Sequence, residues 1–111
     1  NDITVSKTKI QTPKVKIGNA LEFAFQITST SDKSQDLMID YILYFKKANG
    51  ELAPKTFKIA KKTIKPNEVM SLKKRQPLRM MTTRKLHAGE HKIELQINGQ
   101  KFGTHSFVLV E

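Results

Sequence analysis

An all-β sandwich of about seven antiparallel strands is predicted for this chain by three observations. Apolar residues recur at every second position in several short runs, and Gly, Pro, Asn, Asp or Ser separate those runs at short intervals. No segment carries apolar residues at helical spacing over three turns, and no repeat with a period of roughly 20 to 50 residues is visible. The chain has 111 residues, enough for one hydrophobic core of ordinary domain size, so residues 1–111 are expected to form a single domain. At 38% apolar and 27% charged the composition is lean, but the apolar residues are clustered and patterned, which argues for a packed core over disorder.

The first strand is expected over about 3–17, broken at Pro13, with the beat Ile3, Val5 and again Val15, Ile17. The second, 20–29, alternates cleanly: Leu21, Phe23, Phe25 and Ile27 lie on one side, Glu22, Ala24, Gln26 and Thr28 on the other. After the polar stretch Thr30–Ser34, the third strand, 37–46, is apolar on both parities except at Asp40 and reads as a central strand buried on both faces. Weaker alternation places a fourth strand at 55–60 and a fifth at 68–75. The sixth, 91–97, carries Ile93, Leu95 and Ile97 against Glu94 and Gln96. Asn98-Gly99 then supplies the two positive φ angles of a tight hairpin, and the seventh strand returns over 102–110.

This count and spacing suggest an immunoglobulin-like fold. Leu86–Ile93 has the form of the corner that enters the sixth strand of such sandwiches, with His91 where a corner Tyr often sits, able to bond back to the backbone through a ring nitrogen. There is no Cys and no Trp, so the inter-sheet disulfide and the core Trp of antibody domains are absent; Tyr41 is the substitute for the latter.

Several functions are excluded or disfavoured. Without Cys there is no disulfide scaffold and no thiolate zinc site, which fits a reducing cytosol. His87 and His91 lie four apart, a spacing that converges on a helix but not in a turn entering a strand, so no metal site is expected. Asp40 is expected to face solvent or find a donor, with no nucleophile or second acid to make it a catalytic base. No glycine-rich phosphate loop, G-x-S-x-G or EF-hand pattern occurs, and Met70, Met80 and Met81 read as core filler. The domain itself is expected to be non-catalytic, to need no cofactor and to be a monomer. No apolar run spans a membrane, and the chain begins at Asn1 with neither an initiator Met nor a signal-peptide core. A fragment of a longer cytoplasmic protein is therefore expected.

The strongest bulk signal is charge: twenty Lys and Arg against ten Asp and Glu, a net +10, pointing to a polyanionic partner. In an up-and-down sandwich alternate connections share an end. One end then collects Lys14, Lys16, Lys46, Lys47, Lys55, Arg79, Arg84 and Lys85 against Glu51. The other has Lys33, Lys61, Lys62, Lys65 and Lys101 against Asp32, Asp36 and Glu68. The first end is the better polyanion surface, and Asn49, Gln76, Thr82, Thr83 and His87 add neutral hydrogen-bonding groups there. Scattered strand lysines such as Lys7, Lys9 and Lys92 read as solvation.

A family resemblance rests on Ile39-Asp40-Tyr41, on Lys47-Ala48-Asn49-Gly50 followed by Pro54-Lys55 and Phe57-Lys58, on Thr83-Arg84, on Gly89-x-His91-x-Ile93 and on the Asn98-Gly99 hairpin. In order and spacing these resemble the C-terminal Ig-like domain of bacterial AlkC-type DNA alkylation-repair glycosylases, over roughly residues 15 to 110. The resemblance implies HEAT-like helical repeats, outside this chain, that bind duplex DNA and remove methylated bases such as 3-methyladenine without flipping them. The Ig-like domain would help clamp the duplex. Carried over, it implies DNA contacts from Lys46, Lys47, Asn49 and Lys55 and from Thr83, Arg84 and Lys85. The chain has Leu86-His87-Ala88 where that family often shows an aromatic. The glycosylase acids would lie in the helical part. A different class of function is a structural or adhesion module of a bacterial surface protein that meets an anionic polymer.

Overall fold

A computed structural model of the chain describes residues 2–80 and 85–111. It is an all-β sandwich of eight strands: β1 (Ile3–Ile10), β2 (Lys14–Lys16), β3 (Ala20–Ser29), β4 (Gln35–Lys46), β5 (Leu52–Ile64), β6 (Val69–Pro77), β7 (Gly89–Ile97) and β8 (Gln100–Val110). A three-stranded sheet in the order β1-β3-β6 packs on a five-stranded sheet in the order β2-β8-β7-β4-β5. Among the described residues, no helix is long and apolar enough to cross a membrane.

The eighth strand arises where the expected first strand divides. Pro13 has no N–H to give a ladder, and the chain changes sheet there. Upstream, the Gln11 N–H donates to the Glu22 carbonyl at 2.8 Å; downstream, the Pro13 carbonyl accepts the Val108 N–H at 2.8 Å. β1 therefore pairs antiparallel with β3, whereas β2 pairs parallel with β8, so the expectation of a wholly antiparallel sandwich is corrected at this one short ladder. The strand expected at 55–60 is longer, Leu52–Ile64, and pairs with β4 along its length, so it extends the five-stranded sheet.

The alternation read in 20–29 is realised: Leu21, Phe23, Phe25 and Ile27 are all buried to 1% exposure or less. β4 departs from expectation. Its inward residues Leu37, Ile39, Tyr41 and Leu43 are fully buried, but Met38 on the other face is 46% exposed and only Ile42 there is covered. β4 is thus buried on one face; the Ile and Tyr residues that made both parities look apolar include two, Ile42 and Tyr44, that lie on the outer face. There the Tyr44 hydroxyl donates to Glu94 Oε1 at 2.7 Å. Asp40 is half-buried on that same outer face, opposite Lys58.

Asn98-Gly99 forms the expected tight turn, with φ of 50° and 81° and Ile97 paired to Gln100. The Asn98 side chain also reaches β4. Its Oδ1 accepts the Met38 N–H at 2.7 Å and its Nδ2 donates to the Asp36 carbonyl at 3.0 Å, tying the hairpin to the start of the neighbouring strand.

The core closes around Tyr41. Its ring meets Phe23 of the opposite sheet edge-on at 5.1 Å and stacks on Phe57 of β5 at 5.3 Å, and its hydroxyl donates to Gln76 Oε1 on β6. Burial pushes the Tyr41 hydroxyl up to about 12. Because the folded state holds that proton more tightly than the unfolded chain, Tyr41 contributes stability that is lost as pH rises above about 10. Tyr41→Phe keeps the packing but leaves Gln76 without its donor. It should lower stability by about 1 kcal/mol in urea unfolding and remove the part of the alkaline destabilisation that Tyr41 supplies.

Candidate nucleic-acid interface

Residues 17–19 and 78–80 share one end, held by backbone bonds: Gly18 N–H to the Leu78 carbonyl at 2.7 Å, Leu78 N–H to the Asn19 carbonyl at 2.8 Å, and Ile17 N–H to the Val110 carbonyl at 2.8 Å; 46–48 and 85–87 meet across a cleft. Lys46, Lys47, Lys55 and Lys85 all line one open cleft of about 250 Å³ at this end, with His87 and an apolar floor from Phe45, Ala53 and Pro54. Lys47, Lys55 and Lys85 are exposed and Lys46 is half-buried. Thr83 and Arg84, like Met81 and Thr82, lie outside the described residues.

Each described residue is placed by a local cause. Lys55 Nζ sits 5.3 Å from the centre of the Phe57 ring, which itself stacks on Tyr41, so a cation–π contact orients it at the sheet edge. Lys46 lies against Gly89, where an added Cβ would come within 2.6 Å of Nζ. Asn49 serves the turn: its Oδ1 accepts the Glu51 N–H at 3.0 Å, while Lys47 N–H donates to the Glu51 carbonyl at 2.7 Å. Gln76, read as a neutral partner for a ligand, has both side-chain atoms engaged, Oε1 with Tyr41 and Nε2 with the Pro77 carbonyl at 3.1 Å. Leu78 and Leu86 are buried in the core, Met70 packs on it, and Met80, expected as core filler, is 51% exposed. Its Sδ accepts the Leu86 N–H at 3.2 Å.

His91 occupies the corner as expected and is 1% exposed. Its Nδ1–H donates to the Gly89 carbonyl at 3.1 Å, which fixes the tautomer and leaves Nε2 a bare lone pair without a partner among the described residues. Phe45 meets the ring edge-on at 6.2 Å and Phe107 lies against it at 5.5 Å. Burial holds His91 below its usual range; the Gly89 carbonyl opposes this, and the nearby Lys46 and His87 charges add to it. The ring is therefore neutral filler beneath the basic cleft. Among the described residues no group of three His, Cys, Asp or Glu side chains is placed to hold a metal.

Charge counted by end overlooks a second concentration. Residues 52–79 hold nine Lys and Arg and a single acid, Glu68, a net +8 of the chain's +10. Those residues are β5, β6 and the turns beside them, so a sliding charge window along the sequence would have found the segment without the fold.

Two outcomes check this geometry. Lowering the pH below about 6.5 should destabilise the domain progressively, because the unfolded chain takes up a proton that buried His91 resists; the loss levels off below the folded value. His91→Phe should flatten that acid limb in thermal melts at pH 4 to 7, values set around the ordinary His titration. In Gly89→Ala the Lys46 end group can swing aside, but φ of 131° cannot be relieved. A loss of about 1 to 3 kcal/mol is expected in urea unfolding, with a changed Lys46 side-chain resonance.

YhaZ of Bacillus subtilis is 39% identical over 90 residues, which cover 81% of this chain and 25% of that protein, so the chain spans about a quarter of its length. The alkylpurine DNA glycosylase AlkC of Pseudomonas fluorescens, bound to DNA containing an abasic site analog, superposes with a TM-score of 0.95 at 25% identity, over 99% of this chain and 31% of that one. A β-glucosidase of Erythrobacter marinus (TM-score 0.81, 13% identity, 97% of this chain and 15% of that one) and one of Listeria innocua (0.76, 11%, 98% and 16%) share the fold alone. Residues 4–111 match the family described as uncharacterised protein YhaZ, C-terminal Ig-like domain, and the chain belongs to that family.

Proposed function

We propose that this domain is a non-catalytic DNA-binding module that clamps the duplex backbone within an AlkC-type DNA alkylation-repair glycosylase. The observation that carries the reading is the superposition of nearly the whole chain on AlkC, a protein whose structure contains DNA, at a TM-score of 0.95. The cleft lysines support it: Lys46, Lys47, Lys55 and Lys85 converge on one end from three separate stretches of chain, as a surface for phosphates requires. Thr83 and Arg84 remain part of the proposed contact set on the resemblance of their motif. Asn49 would take part through its amide nitrogen, since its oxygen holds the turn.

The mechanism is electrostatic. Each lysine that neutralises a phosphate releases condensed counterions, so affinity falls with salt whatever the base sequence. Recognition of the lesion and cleavage of the glycosidic bond would belong to HEAT-like helical repeats elsewhere in the protein. A weak module gains there from effective concentration, because the helical part already holds the duplex beside it.

Titration of the domain with a fluorescent duplex at rising salt tests this reading. The triple variant Lys46→Ala, Lys47→Ala, Lys85→Ala should weaken binding equally on unrelated sequences, reduce the log–log salt slope by about 2.7, and leave the melting temperature nearly unchanged. Binding and slope identical to the parent domain would overturn the site; no binding at low salt would overturn the function.

A further inference from the structure

β5 and β6 are the outer strands of their two sheets, and no strand pairs with the free edge of either among the described residues. They are joined by the short turn 65–68, closed by the Glu68 N–H to the Lys65 carbonyl at 3.1 Å and the Lys65 N–H to Glu68 Oε1 at 2.8 Å. At the far end they approach again: Lys55 and Phe57 of β5 share a cleft of about 360 Å³ with Gln76, Pro77 and Arg79. The two edges therefore face each other along one open side of the sandwich, from the turn to the loop end.

Cross-strand pairing puts three charges on the inner faces of these edges. Lys55 lies opposite Leu43, Lys62 opposite Leu37 and Lys74 opposite Phe23, and all three of those partners are core residues. Lys55 and Lys62 nevertheless reach solvent and Lys74 is half-buried, because at an open side the inward direction leads out between the sheets. Lys58, Lys61, Lys73 and Arg75 are exposed on the outer faces of the same two strands, where Asp40 stands opposite Lys58 and Glu22 opposite Arg75. Below lies an apolar floor of Phe57, Ile59 and Leu72, packed on the core.

Charged edges also keep sheets from pairing with one another, and one inward lysine or a proline such as Pro54 serves that purpose. Nine cations against one acid exceed it, since a surface evolved for solubility intersperses both signs. The basic run from Lys55 to Lys65 spans about 33 Å of strand, close to one helical turn of duplex DNA. A surface of that length and mostly positive charge fits a polyphosphate backbone lying along it.

We infer that the open side between β5 and β6 is a docking surface for the phosphate backbone of duplex DNA, continuous with the loop-end cleft through Lys55 and Arg79. The inference rests on the DNA-binding reading and extends it from a contact at one end to a contact along one side. Arg79, Lys62 and Lys74 are then ligand-binding residues, and the lesser basic edge formed by β1 and β2 is not.

Three proteins decide it: the 111-residue chain, a side variant (Lys62→Gln, Lys74→Gln, Arg79→Gln), and the loop-end triple variant above. Each is titrated with a fluorescent duplex of about two helical turns across a salt series, with circular dichroism and melting temperature as the check on folding. Amide shifts of the unsubstituted chain on adding DNA give a readout that needs no variant. A tenfold or greater loss of affinity at low salt in the side variant, with a slope smaller by about 2.7 and shifts over 55–65 and 72–79, would support the surface. A side variant that binds like the parent while the loop-end variant loses affinity, with shifts confined to 46–51 and 85–88, would overturn this inference and leave the proposed function standing. Absence of binding by the parent chain at low salt would overturn both.

Discussion

Tyr41 is the contact on which the arrangement of this sandwich turns. With no disulfide to tie the sheets, their relative position is set by packing, and Tyr41 touches all the parts that must be aligned. Its ring lies between Phe23 of one sheet and Phe57 of the other, and its hydroxyl ends on Gln76 of β6. A buried hydroxyl without an acceptor would cost more than the bond returns, so the pair constrains the spacing of the two sheets as well as contributing to stability. Phe57 in turn carries Lys55, and Gln76 stands next to the turn that brings in Arg79. The aromatic centre thereby aligns the two basic walls that flank it.

A similar division of labour holds at the corner. Gly89 leaves room for Lys46, and its carbonyl fixes His91, so one backbone position serves both a cleft lysine and the buried ring. Keeping His91 neutral avoids a buried cation under a cluster of lysines, where repulsion would add to the cost of burial. The cleft lysines themselves need no buried partner, because they remain at or near the surface, where a bound polyanion can displace water and salt from them.

The strand pattern was readable from residues because a half-buried strand has a period of two that no other element shares. The runs 20–29 and 91–97, and the hairpin at Asn98-Gly99, appear where that period and the turn chemistry put them. β4 was misjudged on its outer face because Ile and Tyr suit a half-exposed sheet surface as well as a core, and composition does not distinguish the two. Gln76 was assigned to a ligand because its partner, Tyr41, is 35 residues away. The lysines of the loop end were found by pairing alternate connections. Those of the open side are not seen as one group that way: Lys55 and Arg79 fall to one end, Lys61, Lys62 and Lys65 to the other, and Lys58, Lys73, Lys74 and Arg75, which lie within strands, to neither.

By itself the sequence determined the all-β class, the strands at 20–29 and 91–97 with the Asn98-Gly99 turn, the corner His91 and the excess of positive charge, since each is a local property of spacing or composition. Tertiary structure alone decided that β2 leaves its neighbour to pair parallel with β8, that β5 extends the sheet of β4, and that β5 and β6 face one another across an open side. Those outcomes depend on which sheet an edge strand joins. Several partners offer such a strand nearly equivalent backbone hydrogen bonds, so the choice falls to the packing of the whole core and not to any short stretch of residues.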